Sequence, residues 1–169
     1  MPFETWQPGM IITEERLAAI SPTWQDWTPA WTTSTGNATP SLGDAAVTAR
    51  YAVAATTVHY ELVITFGATT NFGSSPGSAD NWRLSLPVEA AATTTMAGWG
   101  EITDTSAGVG SRTRVRVRLT TTSHMELEMS GPRIDGTALA GPGLIDSASP
   151  WVWANGDIVR LMGTYEAAV

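Results

Sequence analysis

The segment AAVTARYAVAATTVHYELVITF, residues 45–66, holds two runs in which apolar and polar side chains alternate, with only a few residues between them. In the second run, one face of an extended chain carries only apolar side chains, as a half-buried strand requires. Those side chains are Val58, Tyr60, Leu62, Ile64 and Phe66. The segment predicts a long β-hairpin, and further strands must cover its apolar face because an isolated hairpin is marginal in water.

Beyond this hairpin, short alternating segments are separated by stretches rich in Gly, Ser, Asn, Asp and Pro, which is the pattern of an all-β fold. We predict a jelly-roll-like antiparallel β-sandwich of about eight strands over residues 27–169. The predicted strands are 27–33, 45–53, 57–66, 81–87, 94–104, 111–120, 124–130 and 156–166. The hairpin turn Ala54-Ala55-Thr56 is unusual, because tight turns favour residues that tolerate a positive φ.

Residues 1–26 precede the first predicted strand, and we expect them to form an N-terminal anchoring arm. Within 9–20 the pattern predicts a short helix, with Thr13 as its N-cap and two glutamates in the first turn, where the helix dipole favours negative charge. A helix this short is not stable alone, so it must dock on its own domain or on a partner. The candidate anchoring residues are Ile12, Leu17, Ile20 and Trp24.

The composition of the 169-residue chain excludes several classes of binding partner. The formal charge of −7 argues against a protein that tracks nucleic-acid phosphates or binds an anionic membrane, because both need positive surfaces. No segment approaches the roughly 18 apolar residues of a membrane span, so we expect no membrane insertion. The opening MPFETWQPG lacks the layout of a signal peptide, which indicates a chain not secreted by the general route. Charged residues make up only 15% of the chain, and such a surface suits burial between subunits.

Arginines alternate with apolar or small residues along the sixth predicted strand, so four guanidinium groups lie on one face. The next strand carries Glu126 and Glu128 on that same face. A hairpin between the two strands places Glu126 opposite Arg118. It also places Glu128 opposite Arg116, and each such pair contributes about 0.2–1 kcal/mol. The pattern predicts a solvated face whose charges neutralise one another.

The alternative interpretation of this face is a subunit interface or a site for an acidic glycan, since arginine forks match carboxylates with two parallel hydrogen bonds. Arg112 and Arg114 lie beyond the reach of the two glutamates. These two arginines are therefore candidate ligand-binding residues.

Trp151 and Trp153 in the segment SPWVWANGD project from the same side of an extended chain. Two indoles in this arrangement can stack on sugar rings, which makes both residues candidate ligand-binding residues. The other interpretation is that they seal one end of the sandwich or pack against a neighbouring subunit.

No catalytic or metal-binding motif stands out in the sequence. A nucleophile elbow, a phosphate loop and a zinc signature are all missing, and the chain has no cysteine. His59 and Glu61 share a strand face, but no further ligand of matching spacing accompanies them. We therefore expect a protein that is not an enzyme and that uses neither a cofactor nor a metal.

Four segments carry a family resemblance, and together they span nearly the whole chain. They are PGMIITEERLAAI, WTPAWTTSTGNATPSLGDAAVTARYAVAATTVHYELVITFGATTNFG, WRLSLPVEA and SPWVWANGDIVRLMGTYEAA. In this order they resemble tail-fibre and minor-tail-type proteins of phages and prophages of actinobacteria. The closing strand, with GD followed by GTYEA, is the most specific part. The chain departs from the pattern at Ala55, where such proteins usually carry a glycine.

The resemblance implies a virion component on the tail or head surface, made in the host cytoplasm and in contact with other virion proteins. It implies that the arm attaches to the particle, while the sandwich, commonly a homotrimer, points toward a host cell-wall polysaccharide or stabilises the tail tip. It transfers no binding residues. Two alternatives remain: a capsid decoration (cement) protein, which has no receptor, and a stand-alone carbohydrate-binding module.

Overall fold

The computed structural model describes residues 7–37, 39–73, 80–108, 111–133 and 143–168, with the backbone alone at 18–20, 132 and 133. Within these ranges the chain has one α-helix and nine strands, so the all-β prediction is confirmed. The helix α1 is Glu14–Ile20. The strands are β1 Gln25–Asp26, β2 Trp31–Thr33, β3 Ala46–Ala54, β4 Thr57–Thr65, β5 Trp82–Ser85, β6 Thr94–Thr103, β7 Arg112–Leu119, β8 His124–Arg133 and β9 Ile158–Glu166.

All of these strands belong to one antiparallel sheet in the order β1-β3-β4-β9-β6-β7-β8-β5-β2. The sheet curls, because β2 at one end of this order reaches back to the end of β4 near the other. There the ring of Trp31 stacks on Phe66, with centroids 5.4 Å apart and planes at 18°. The curl encloses a core between the two ends of a single sheet, which makes the fold sandwich-like.

The predicted hairpin is β3 and β4, paired from Ala46 opposite Thr65 to Ala54 opposite Thr57. All five apolar side chains predicted for the inward face of the second run are buried. The two-residue connection adopts the conformation that its sequence does not favour, since Ala55 has a φ of 58°.

A cluster of aromatic rings fills the core where the curled ends of the sheet meet. Phe66 lies at its centre and contacts Phe72, Trp82 and Trp153 edge to face, with centroids 5.0, 6.0 and 5.6 Å away. Such pairs contribute about 0.5–1.5 kcal/mol each beyond the area they bury. The cluster is what holds the ends of the curled sheet together.

The buried carboxylate of Asp157 ties two loops to the start of β9. One of its oxygens accepts hydrogen bonds from the backbone and hydroxyl of Thr105, at 2.9 and 3.1 Å. The other accepts from the indole of Trp151 at 3.2 Å and from the backbone of Ala154 at 3.0 Å. Four donors satisfy this charge in the interior, which gives the GD pair of the sequence a structural reason.

The arm has the predicted helix, and it begins as predicted. The hydroxyl of Thr13 accepts a hydrogen bond from the backbone of Arg16 at 3.3 Å, so Thr13 is the N-cap. The helix makes no extensive contact with any strand of the sheet. Of the arm's described residues, Gln25 and Asp26 at its end pair with β3. In the described part of the chain, no helix has the length and apolar character needed to cross a membrane.

Candidate functional site

The face of the sheet that points away from the aromatic core is called the outer face here. A single row of neighbouring residues crosses it from β3 to β8, as the strand registers define. The row is Arg50, Glu61, Met162, Trp99, Arg116 and Glu128. Its ends are charged and paired, while its middle is apolar.

The middle of this row exposes two large apolar side chains side by side. Trp99 of β6 is 54% exposed and lies directly opposite Met162 of β9, which is 62% exposed. Met96, earlier on β6, is also exposed. An indole in the centre of a sheet face is not needed for the core, so it is available to a ligand or partner.

The sequence alone does not single out this centre, because the glycines on both sides of Trp99 are more typical of a strand bend or bulge than of a binding surface. The irregularity in β6 lies earlier, between Thr94 and Gly98. The sequence nevertheless carries a signal that Trp99 is exposed. In an extended strand, Trp99 lies on the same face as the charged Glu101 and on the face opposite the apolar Ile102. Met162 was not visible as a partner, because the neighbourhood of β6 and β9 is not local in sequence.

The arginines of β7 lie on the outer face, as predicted, and the register of the hairpin to β8 is confirmed. Arg116 donates a hydrogen bond to Glu128 at 2.6 Å. That bond and the positive charge hold the pKa of Glu128 below its usual value. Arg118 lies 3.8 Å from the same carboxylate.

The predicted ion pair between Arg118 and Glu126 is wrong, although the two residues lie opposite each other. The carboxylate of Glu126 instead accepts a hydrogen bond from Arg83 of β5 at 2.7 Å. Glu126 is 2% exposed, so its charge needs a close partner. No local pattern in the sequence indicates that β5 lies beside β8.

The two candidate ligand-binding arginines have different environments. Arg112 was expected to lack a carboxylate, but it lies 3.8 Å from Glu101, which β6 brings alongside. Glu101 also lies 3.5 Å from Arg160 of β9. Arg114 is exposed, and its side chain makes no hydrogen bond or ion pair within the described residues, so it alone of the two matches the expectation.

The two candidate ligand-binding tryptophans differ in how deeply they are buried. Trp153 is 4% exposed, and its indole donates to the carbonyl of Asp146 at 3.0 Å. Its ring packs on Trp82 at 4.8 Å, so it offers no face to a sugar, and this correction removes it from the candidate site. Trp151 is half-buried and its plane is tilted by 42° from that of Trp153. The pair closes one end of the sandwich, which was the other interpretation of the sequence.

The candidate anchoring residues lie on the surface. Ile12 is 60% exposed and Leu17 is 49% exposed, and both belong to the part of the arm that stands clear of the sheet. Trp24 is exposed as well, but the guanidinium of Arg50 lies 4.7 Å from its ring. The side chain of Ile20 lies outside the described residues. The arm thus presents apolar side chains that the chain's own sheet does not cover.

His59 and Glu61, the two residues considered for metal binding, do not belong to a cluster of ligands in the described part of the chain. Among the described residues, no group of three or more His, Cys, Asp or Glu side chains is placed to hold a metal ion. Glu61, which shares its strand with His59, accepts two hydrogen bonds from Arg50, at 2.9 and 2.7 Å.

Comparison of the chain with protein families, with curated proteins and with solved structures finds no match.

Proposed function

We propose that this chain is a non-enzymatic virion structural protein of the tail-fibre or minor-tail type. In this proposal the arm fastens it to other virion proteins as a homotrimer, and the outer face meets a host-surface polysaccharide. The proposal starts from the family resemblance of the sequence. The observation that carries it is an arm whose apolar side chains, Ile12 and Leu17, are exposed and lie apart from the sheet.

Exposed apolar side chains on a short helix and just before it are unfavourable in water, and they are typical of a segment that becomes buried in an assembly. The outer face supports the second half of the proposal. A sheet surface with a central exposed indole, Trp99, that has Met162 beside it on β9 and Arg116 beside it on β7, suits a sugar ring with its polar edge and apolar face.

Removal of residues 1–22 tests attachment, because it deletes α1 and leaves β1 paired in the sheet. Two sets of phage particles are assembled, one with the full chain and one with the truncated chain. Both are purified, and each is assayed for the presence of this protein. We expect the truncated chain to fold, as followed by its thermal unfolding, and to be lost from the particles. Retention of the truncated chain in particles contradicts anchoring by the arm.

A point variant refines this test. Ile12→Ser combined with Leu17→Ser removes the exposed apolar surface and keeps the length of the arm, whereas Glu15→Ser changes a neighbouring charged residue. We expect the first variant to lose particle attachment and the second to keep it. Light scattering of the full chain measures its molar mass and so tests the homotrimer. If the truncated chain is a monomer that still binds sugar, the stand-alone carbohydrate-binding module is favoured.

Binding to a set of host-wall polysaccharides tests adhesion. Trp99→Ala is the informative variant, because the burial of Trp153 makes its substitution a change to the core. A full chain that sits on the particle head and binds none of the polysaccharides favours capsid decoration.

A further inference from the structure

The outer face carries a surplus of positive charge around β7. Glu128 serves both Arg116 and Arg118, and Glu101 serves both Arg112 and Arg160. Glu126 adds no compensation here, because its nearest guanidinium is that of Arg83. We call the five arginines and two glutamates the cationic patch. They are Arg112, Arg114, Arg116, Arg118 and Arg160, with Glu101 and Glu128.

This local charge is opposite to that of the whole chain, which is −7. Two carboxylates shared by four guanidinium groups, with a fifth guanidinium that has no carboxylate partner among the described residues, leave the cationic patch positive. A bound anion therefore meets an attractive field at this one surface.

Arg114 is the member of the cationic patch whose side-chain donors have no partner among the described residues. The residue is exposed, and its guanidinium makes no hydrogen bond or ion pair with any of them. Its register partner on β6 is Glu101, which is engaged by Arg112 and Arg160. A guanidinium has five N–H donors in a fork that fits a carboxylate or phosphate with two parallel bonds.

Trp99 lies diagonally across the ladder from Arg114, because its direct partner on β7 is Arg116. Diagonal neighbours in an antiparallel pair are about 7–8 Å apart, within reach of long and aromatic side chains. A sugar ring that lies on the indole of Trp99 can therefore place an exocyclic anionic group beside the guanidinium of Arg114.

We propose that Trp99 and Arg114 form a subsite for an acidic sugar residue of a polysaccharide. The indole stacks on the ring, and the guanidinium binds the carboxylate or phosphate that the ring carries. This inference rests on the proposed function and specifies the chemistry of the receptor. A second copy of the same face is a poor occupant, because it brings like charges together. A nucleic-acid strand needs several unpaired cations in a line, whereas Arg114 is the one member of the cationic patch without an ion pair in the described chain.

The test uses the full chain and measures its binding to three acidic polysaccharides: polygalacturonate, hyaluronan and alginate. Dextran and fully methyl-esterified polygalacturonate are the neutral probes. We expect binding to at least one acidic polymer, no binding to the neutral ones, and weakening as salt is added, because exposed charges are screened. Arg114→Ala and Trp99→Ala should each weaken binding about tenfold or more.

Matched controls separate the subsite from a general charge effect. Arg50→Ala removes the same charge from the same face at β3, and Trp24→Ala removes another exposed indole. Each should change binding by about twofold or less. Because Trp99 and Arg114 are exposed, their variants should keep the unfolding midpoint of the native chain, which the same samples report.

Four results overturn the subsite: no acidic polymer is bound, esterified polygalacturonate binds equally well, Arg50→Ala weakens binding as much as Arg114→Ala, or oligo(dT) binds more tightly than every polysaccharide. These results are distinct from failure of the virion proposal. A chain that is absent from particles but binds an acidic polymer through Trp99 and Arg114 refutes only the virion proposal. A particle-bound chain that recognises only neutral wall polymers refutes only the subsite.

Discussion

Gly98 of β6 and Gly163 of β9 face each other across their ladder, and the hydroxyl of Tyr60 occupies the space beside both. A Cβ at Gly98 would lie 2.5 Å from this hydroxyl, and a Cβ at Gly163 would lie 2.7 Å from it. The hydroxyl donates a hydrogen bond to the carbonyl of Ala97 at 3.2 Å, so the ring cannot move away without losing that bond. The two glycines let a tyrosine from a third strand lie flat against the centre of the sheet.

Gly163→Ala should therefore destabilise the fold by about 3 kcal/mol, because the added methyl group meets both Tyr60 and the backbone of Ala97. Urea unfolding monitored by tryptophan fluorescence gives the change in free energy. Gly131→Ala in β8 is the control, since a Cβ there has no atom of the described residues within 4 Å, and its effect should stay below about 1 kcal/mol. Similar midpoints for the two variants would show that the close approach does not matter.

Ala55→Gly should stabilise the protein by about 0.5–1 kcal/mol. The φ of 58° at Ala55 lies in the left-handed region, which costs an alanine about 1–2 kcal/mol, and glycine returns part of that gain through its freer unfolded chain. Ala54→Gly, one residue earlier in β3, should instead destabilise by about 0.5–1 kcal/mol. A thermal melt of both variants decides the matter, and two shifts of the same sign contradict the assignment.

Arg83→Ala should cost about 3 kcal/mol of unfolding free energy, because it leaves the buried carboxylate of Glu126 without its guanidinium. The comparison is Arg50→Ala, which breaks an equally short pair with Glu61 in which both side chains are more than 40% exposed. That variant should cost less than about 1 kcal/mol. The double replacement Arg83→Met with Glu126→Leu should recover most of the loss, and its failure to do so would point to a role beyond charge pairing.

Stability should fall as the pH drops below about 6.5, and His124 should account for part of the fall. Burial, aided by the positive charge of Arg83, lowers the pKa of His124 in the folded chain. Between the two pKa values, the unfolded chain takes up a proton at His124 and the folded chain does not. The contribution of His124 to stability is therefore complete above the unfolded pKa, and it is lost as the pH falls to the folded pKa. Chemical denaturation from pH 7 to 5 should show a shallower slope for His124→Gln. Parallel curves for the two proteins refute the prediction.

We expect a second loss of stability at more acidic pH, and it arises from Glu128. Arg116 holds the pKa of Glu128 below its usual value of 4.5, so this carboxylate contributes stability above that pH and loses it as the pH falls through the lowered pKa. The two windows are separate, and the histidine variant should leave the acidic one unchanged.

The strands were predictable because alternation of period two is a local property of the sequence. Eight of the observed strands overlap predicted ones, and the register of Arg116 with Glu128 followed from the short connection between their strands. β1 was missed because the two residues Gln25 and Asp26 carry no alternation. The turn at Ala55 was recognised as unusual from its chemistry, although its sequence did not reveal the conformation.

The site was less predictable, because its composition depends on which strands become neighbours. The partner of Glu126 comes from β5 and that of Arg112 from β6, and neither adjacency leaves a local signal. Trp151 and Trp153 look alike in the sequence, and only the aromatic cluster buries the second. Exposure of Trp99 follows from its parity on β6, but its place beside Met162 required the order of the sheet.

The side chains that hold this fold together and those proposed to bind a sugar occupy opposite faces of the same strands. Trp99, Met162 and Arg114 can be exchanged for other residues without touching the buried rings of the core. Under the proposed function, a lineage that meets a changing receptor is free to alter its recognition chemistry residue by residue, because the stability of the scaffold depends on the opposite face.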